Sequence, residues 1–211
     1  LNQFGAKELT LSNGAKVILK KTNLKANEIL MSATAPGGTS ITKNESLVMK
    51  KLFPEIGMIH GLGTKGLNDL SSIAQTKMTS IDASVSNDIH SLQGATNNEN
   101  VETLMQMINL SFTDVKKDEG FLQLIAQYLK GKMATKANDP DAVMEDSVAY
   151  YTHSKKLEHL SPDASDFDKI DYNRATEIYK QLFSNAGEFT FTFVGSFDEA
   201  QIRTLIEKYI A

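Results

Sequence analysis

The stretch Glu188-Phe-Thr-Phe-Thr-Phe-Val-Gly-Ser-Phe-Asp198, continued by Glu199-Ala-Gln-Ile-Arg-Thr-Leu-Ile-Glu-Lys-Tyr-Ile210, decides the fold. Phe189, Phe191 and Phe193 alternate with Thr190 and Thr192, giving one aromatic face and one small β-branched face, the period of a strand in a packed sheet. Gly195 ends the strand, and Asp198 can cap a helix behind it. Ile202, Leu205, Ile206 and Tyr209 fall at i, i+3, i+4 and i+7 on one face of that helix. The chain therefore closes with a buried strand feeding a helix that lies back on the same sheet.

Working outward from that unit, the remaining strands read as hairpins. Leu9 and Leu11 alternate before Asn13-Gly14, and Val17 and Leu19 after it, a strong short-range hairpin signal. A third strand spans about Glu28 to Ala35 and stops at Pro36-Gly37-Gly38. No Gly-Lys-Ser/Thr comes after those glycines, so they read as a tight strand-to-helix turn rather than a phosphate loop. Val48, Leu52, Ile56 and Ile59 predict a helix from Asn44 to Ile59, broken or kinked near its middle by Pro54. Gly61-Leu62-Gly63 reads as a loop, and a short helix runs from Gly66 to Thr76. Ile81, Ala83 and Val85, the turn Asn87-Asp88, and His90, Leu92 and Gly94 form a second hairpin.

Three helices come next. Val101, Leu104, Met105, Ile108 and Phe112 make one apolar stripe, and Phe121, Leu124, Ile125, Tyr128 and Leu129 make another. Asn138-Asp139-Pro140 starts the third, with Asp as cap and Pro at the first helical position, and Met144, Val148 and Tyr151 continue the apolar face. The Met and Tyr side chains of the first two stripes read as core packing. Ser154 to Asp171 is irregular, Tyr172 to Phe183 is helical, and Asn185-Ala186-Gly187 turns the chain into the closing strand. The tally is five or six strands and about seven helices gathered between the fifth strand and the last. It predicts an α+β fold, a mainly antiparallel five- to six-stranded sheet covered by helices.

Composition narrows the function. The 211 residues are 41% hydrophobic, enough for a core, and no compositional break divides residues 1–211, so one domain is expected. With 22 basic against 26 acidic residues, and Lys20, Lys21 and Lys25 reading as a solvated edge or loop, no basic field exists to hold a nucleic acid. No apolar run approaches the roughly twenty residues of a membrane span. Leu1-Asn2-Gln3-Phe4 has neither the charged nor the apolar region of a signal peptide. A soluble piece cut from a longer chain is expected, since it begins at Leu and runs straight into a strand pattern. The absence of cysteine excludes disulfides and thiolate chemistry within these residues.

No catalytic constellation emerges. A zinc enzyme needs three convergent ligands, on a helix three or four residues apart. The histidines are His60, His90, His153 and His159, and they read as exposed or locally bonded side chains. Glu158-His159 matches the tail of H-x-x-E-H, but Lys155 stands where the first histidine belongs and would repel a metal. Gly195-Ser196 lacks the second glycine of a nucleophile elbow. Asp139/Asp141, Glu145/Asp146 and Asp163/Asp166/Asp168 fit solvation and helix capping better than acid-base work.

Three motifs in order, Leu-Thr-Leu-Ser-Asn-Gly-Ala-Lys-Val-Ile-Leu (9–19), Ser-Ala-Thr-Ala-Pro-Gly-Gly-Thr-Ser (32–40) and Phe-Thr-Phe-Val-Gly-Ser-Phe-Asp (191–198), resemble the pitrilysin/insulinase family of zinc metallopeptidases. The resemblance spans almost the whole chain and implies the fold of the mitochondrial-processing-peptidase-like metallohydrolases. It implies paired homologous units closing as a clamshell, with H-x-x-E-H only in the N-terminal half. Here Leu47 to Ile59 carries no histidine and keeps Glu55 alone, beside Pro54, so the implied identity is an inactive domain of the C-terminal half. It would form part of a substrate chamber and bind peptide when the halves close. No catalytic or metal residue is expected, and no cofactor in this domain, with zinc in the catalytic domain of the parent protein. The implied partners are a homologous catalytic domain, in the same chain or another subunit, and a peptide substrate. Arg174 and Arg203 are given no substrate role, and Arg174 is expected to be an exposed surface side chain. An extracytoplasmic setting is a further implication. The alternative is a structural or regulatory partner subunit of the same family, without a protease in its chain.

Overall fold

β1 (Lys7–Thr10) and β2 (Lys16–Lys21) pair antiparallel, with Leu9 opposite Val17. The Asn13 side chain holds their connection in place. Its Oδ1 accepts from the Ala15 amide at 3.1 Å, and its amide donates to the Ile210 carbonyl at 2.6 Å, tying the hairpin to the chain's last helix. The structure, a computed structural model, describes residues 5–211; Leu1-Asn2-Gln3-Phe4 lies outside the described residues. β3 (Ile29–Pro36) comes next, then β5 (Ser80–Val85) and β6 (Ile89–Thr96) as the second hairpin, and β8 (Thr190–Gly195).

These six strands form one sheet in the order β1-β2-β8-β3-β6-β5. Every pairing is antiparallel except β2 with β8, which is parallel. The expected α+β architecture is therefore the observed one, with the closing strand inserted at the sheet centre. Gly195 is required there: a Cβ would stand 2.1 Å from the Glu28 carbonyl oxygen. Gly38, at φ 55°, is equally constrained, since a Cβ would meet the Ser86 carbonyl at 2.3 Å.

One sheet face is buried. Val17, Leu19, Ile29, Met31, Ala33, Leu92, Phe191 and Phe193 point into a core shared with α3 (Val101–Thr113), α6 (Tyr172–Leu182) and α7 (Glu199–Tyr209). Asp198 caps α7, accepting from the Gln201 amide at 2.9 Å, and Ile202, Leu205 and Ile206 are buried as their spacing requires. A smaller cluster, Leu52, Ile56, Leu122, Ala126 and Phe167, joins α1 (Leu47–Ile56) to α4 (Glu119–Ala134) and the 3-10 turn Ala164–Asp168.

Four expectations are corrected. The helix expected over Asn44 to Ile59 is α1, shorter at both ends: Ser46 caps it, and Pro54 lies in its last turn, so the missing amide falls near the terminus instead of breaking the middle. Leu62 belongs to no plain loop, since β4 (Gly61–Leu62) pairs with β7 (Val115–Lys116). Two helices, α1 and α2 (Leu67–Lys77), precede β5, and only four lie between the fifth strand of the main sheet and β8. Finally, α5 (Pro140–Thr152) starts at Asp139 as expected but buries none of its residues; Met144, Val148 and Tyr151 are exposed, as are Leu124 and Tyr128 of α4. Tyr128 is therefore not core packing, whereas Met105 and Met107 are.

Candidate functional site

On the uncovered face of the sheet, two rows of side chains run across the strands. The register places Lys16, Thr190, Thr34, Ser91 and Ser84 in one row, and Ile18, Thr192, Ser32, Gln93 and Asp82 in the next. Small hydroxyl residues dominate because Thr and Ser fit a pleated surface without a packing partner. Ser84 and Ser91 hydrogen-bond through their hydroxyls at 2.8 Å. Such a face offers donors and acceptors to an extended chain, and β5 at the sheet's end leaves one edge unpaired by any strand among the described residues.

The histidines divide into two unlike pairs. His60 and His90 are buried, which corrects the expectation of exposed or locally bonded side chains. His60 lies 4.4 Å from the Tyr179 ring, and its Nε2 is hydrogen-bonded to Thr176 Oγ1 at 3.2 Å. Burial pushes its imidazole down to about 4, with the Met58 carbonyl working against that shift and Lys180 adding to it. His90 stands edge-on to Phe183 and Phe189, at 5.3 and 5.1 Å. Burial lowers its pKa too, opposed by the Leu182 carbonyl and the Glu188 charge. A strand position on the core face explains His90; no period could distinguish it from an apolar neighbour.

His153 and His159, by contrast, are stacked at 4.3 Å on the surface, and His153 Nδ1 bonds the Ala149 carbonyl at 2.9 Å. Among the described residues, no group of three or more His, Cys, Asp or Glu stands together as a metal cluster. α1 presents Lys50 and Pro54 to a cleft of about 640 Å³, and Lys50 pairs with Glu158 at 3.3 Å. Glu55 is exposed. A cationic amine and a pyrrolidine ring supply no ligand, and Glu55 alone is short of the three that zinc needs, so α1 does not fit zinc.

The carboxylates have structural work. Asp139 accepts from the amides of Asp141 and Ala142, and the Asp166 carboxylate accepts from the Asp163 amide. Asp146 is bound to Lys136 and accepts from the Ser161 amide and hydroxyl. Burial tends to raise its pKa, but these hydrogen bonds prevail and hold it below the usual carboxylate range. Asp168 takes Lys130 at 2.7 Å. Arg174, expected as an exposed surface side chain, is half-exposed and held by ion pairs: it grips Glu45 through Nε and Nη2 and Glu177 through Nη1, fastening α6 to the approach to α1. Arg203 pairs with Glu199, which also holds Lys7.

Known proteins share this arrangement. The zinc protease PQQL-like of Arabidopsis thaliana is 22% identical over 213 residues, covering 99% of this chain and 19% of that protein. Among solved structures, the periplasmic protease PqqL from Escherichia coli superposes with a TM-score of 0.78 at 21% identity, over 97% of this chain and 22% of that one. The peptidase M16 inactive domain from Pseudomonas fluorescens matches with a TM-score of 0.70 at 11% identity, over 97% of this chain and 50% of that one. The fold is that of a pitrilysin-type M16 peptidase unit. No family model matches the chain. The fold supports the resemblance to M16 peptidase units, and the chain spans about a fifth of the curated relative it matches. Among the described residues, no helix is long and apolar enough to cross a membrane.

Proposed function

We propose that this chain is a non-catalytic unit of a zinc metalloendopeptidase, residues 1–211 forming one domain of a longer polypeptide. It makes part of the wall of the substrate chamber and contacts peptide when two halves close. The observation that carries this reading is the pairing of an uncovered hydroxyl-lined sheet face with a first helix, Leu47–Ile56, that lacks zinc ligands. An uncovered antiparallel face is suited to a wet, peptide-facing wall, and a helix bearing Lys50, Pro54 and Glu55 cannot activate water on a metal. No residue of this chain is assigned a catalytic or metal role, and zinc belongs to a homologous catalytic domain that is its partner. The proposed setting is extracytoplasmic, by analogy with the periplasmic PqqL.

The test is to translate the coding region on both sides of Leu1 and Ala211. A neighbouring homologous unit with H-x-x-E-H is expected. Peptidase activity of that longer protein should disappear when residues 5–211 are excised, with the catalytic unit still folded. Unrelated flanking sequence would overturn the reading, and a stand-alone partner subunit of the same family would take its place.

A further inference from the structure

We propose that the cleft beside α1 binds an acidic segment of a peptide, pairing its carboxylates with the ammonium groups of Lys43 and Lys156. This rests on the peptide-contact reading above and adds the substrate class. The cleft, about 640 Å³, is walled by the turn after β3, by α1, by the β5–β6 turn at Asn87, and by the segment carrying Lys156 and Glu158. Its lining holds three lysines against one glutamate. Glu158 is engaged by Lys50 at 3.3 Å, while Lys43 and Lys156 form no ion pair among the described residues.

Two of the three lining hydroxyls are already engaged. Ser40 Oγ donates to the Gly37 carbonyl, and Thr42 Oγ1 donates to the Thr39 carbonyl at 2.7 Å, so both hydrogens are already directed at backbone. Thr39, Asn87 and His159 also line the cleft, but the ammonium groups of Lys43 and Lys156 are its charged donors without an ion pair, and they favour a carboxylate over a neutral amide. The chain as a whole carries a net charge of −4, so attraction for an acidic guest is local to this cleft. A bounded concavity offering the ammonium groups of Lys43 and Lys156 suits a few carboxylates of a peptide; a nucleic acid would need a broad basic surface.

The test uses two fluorescein-labelled peptides of one sequence, one with three glutamates and one with glutamines in their place. Anisotropy is measured with the whole chain at about 50 mM and about 300 mM salt. The glutamate peptide should bind more tightly, weaken with salt, and lose about tenfold in affinity in the Lys43→Gln/Lys156→Gln variant. Both lysines are exposed, and circular dichroism checks that the variant remains folded. Lys21→Gln/Lys169→Gln removes the same charge elsewhere and should leave affinity unchanged. Equal binding of the two peptides, or equal loss in the two variants, overturns the acidic preference while leaving peptide contact standing. Binding of neither peptide overturns both. A DNA duplex that competes at equal phosphate-to-carboxylate concentration would assign the cleft to polyanions in general and overturn the peptide proposal.

Discussion

α7 and α5 have similar sequences in one respect and opposite fates. Each is capped by an aspartate, Asp198 or Asp139, and each carries apolar residues at helical spacing. α7 buries Ile202, Leu205 and Ile206 against the sheet, whereas α5 leaves Met144, Val148 and Tyr151 in solvent. The difference teaches that a cap and a period specify a helix, but only a sheet with a complementary face makes the helix part of the core. Phe191 and Phe193, fully buried beside β2 and β3, provide that face; the main neighbours of α5 are short 3-10 turns.

The sharpest way to break this contrast is to empty the sheet's core face. Phe193→Ala should cost about 3–5 kcal/mol in urea unfolding, and a cost no larger than that of a surface change would refute the central packing. Acid comes next. The buried His60 accepts a proton at about 4, against 6.5 in the unfolded chain, so unfolding takes up protons between those values. Stability is full above pH 6.5 and falls as pH drops towards 4, by about 3 kcal/mol from this residue, with His90 adding in the same direction. Unfolding midpoints at neutral and acid pH measure it, and His60→Asn should flatten the slope. A smaller effect is expected from Asp198→Ala, which removes the α7 cap and should cost about 1 kcal/mol of global stability. Asp139→Ala should instead appear as faster amide exchange confined to α5. Smallest of all, Met144→Ser should change global stability by less than about 0.5 kcal/mol; a core-sized loss would show that α5 is packed after all.

Where the local period and the tertiary partner agree, sequence was a sufficient guide. The β8–α7 unit, the Asn13-Gly14 hairpin and the Ile81–Gly94 hairpin each carry their own signal, because strand alternation and turn chemistry are local. Three features are not local. β4 and β7 are two-residue strands from distant segments, too short to show a period. The parallel insertion of β8 between β2 and β3 depends on the whole topology. The cleft gathers Lys43, Lys50, Asn87 and Lys156 from four places in the chain, and none stands out among 22 basic residues. His90 sits on the alternating core face, yet its polarity argued for exposure; aromatic edges at Phe183 and Phe189 accommodate it instead.

The central claim, a unit of zinc-peptidase fold that does not itself carry the metal, is tested most directly by metal content. Zinc is measured by mass spectrometry on this chain and on the longer polypeptide proposed to contain it, each purified with zinc present. The account predicts none bound to the chain and one zinc per longer polypeptide, lost when the H-x-x-E-H of its partner unit is mutated. Stoichiometric zinc on this chain alone, or none on the longer protein, would contradict it.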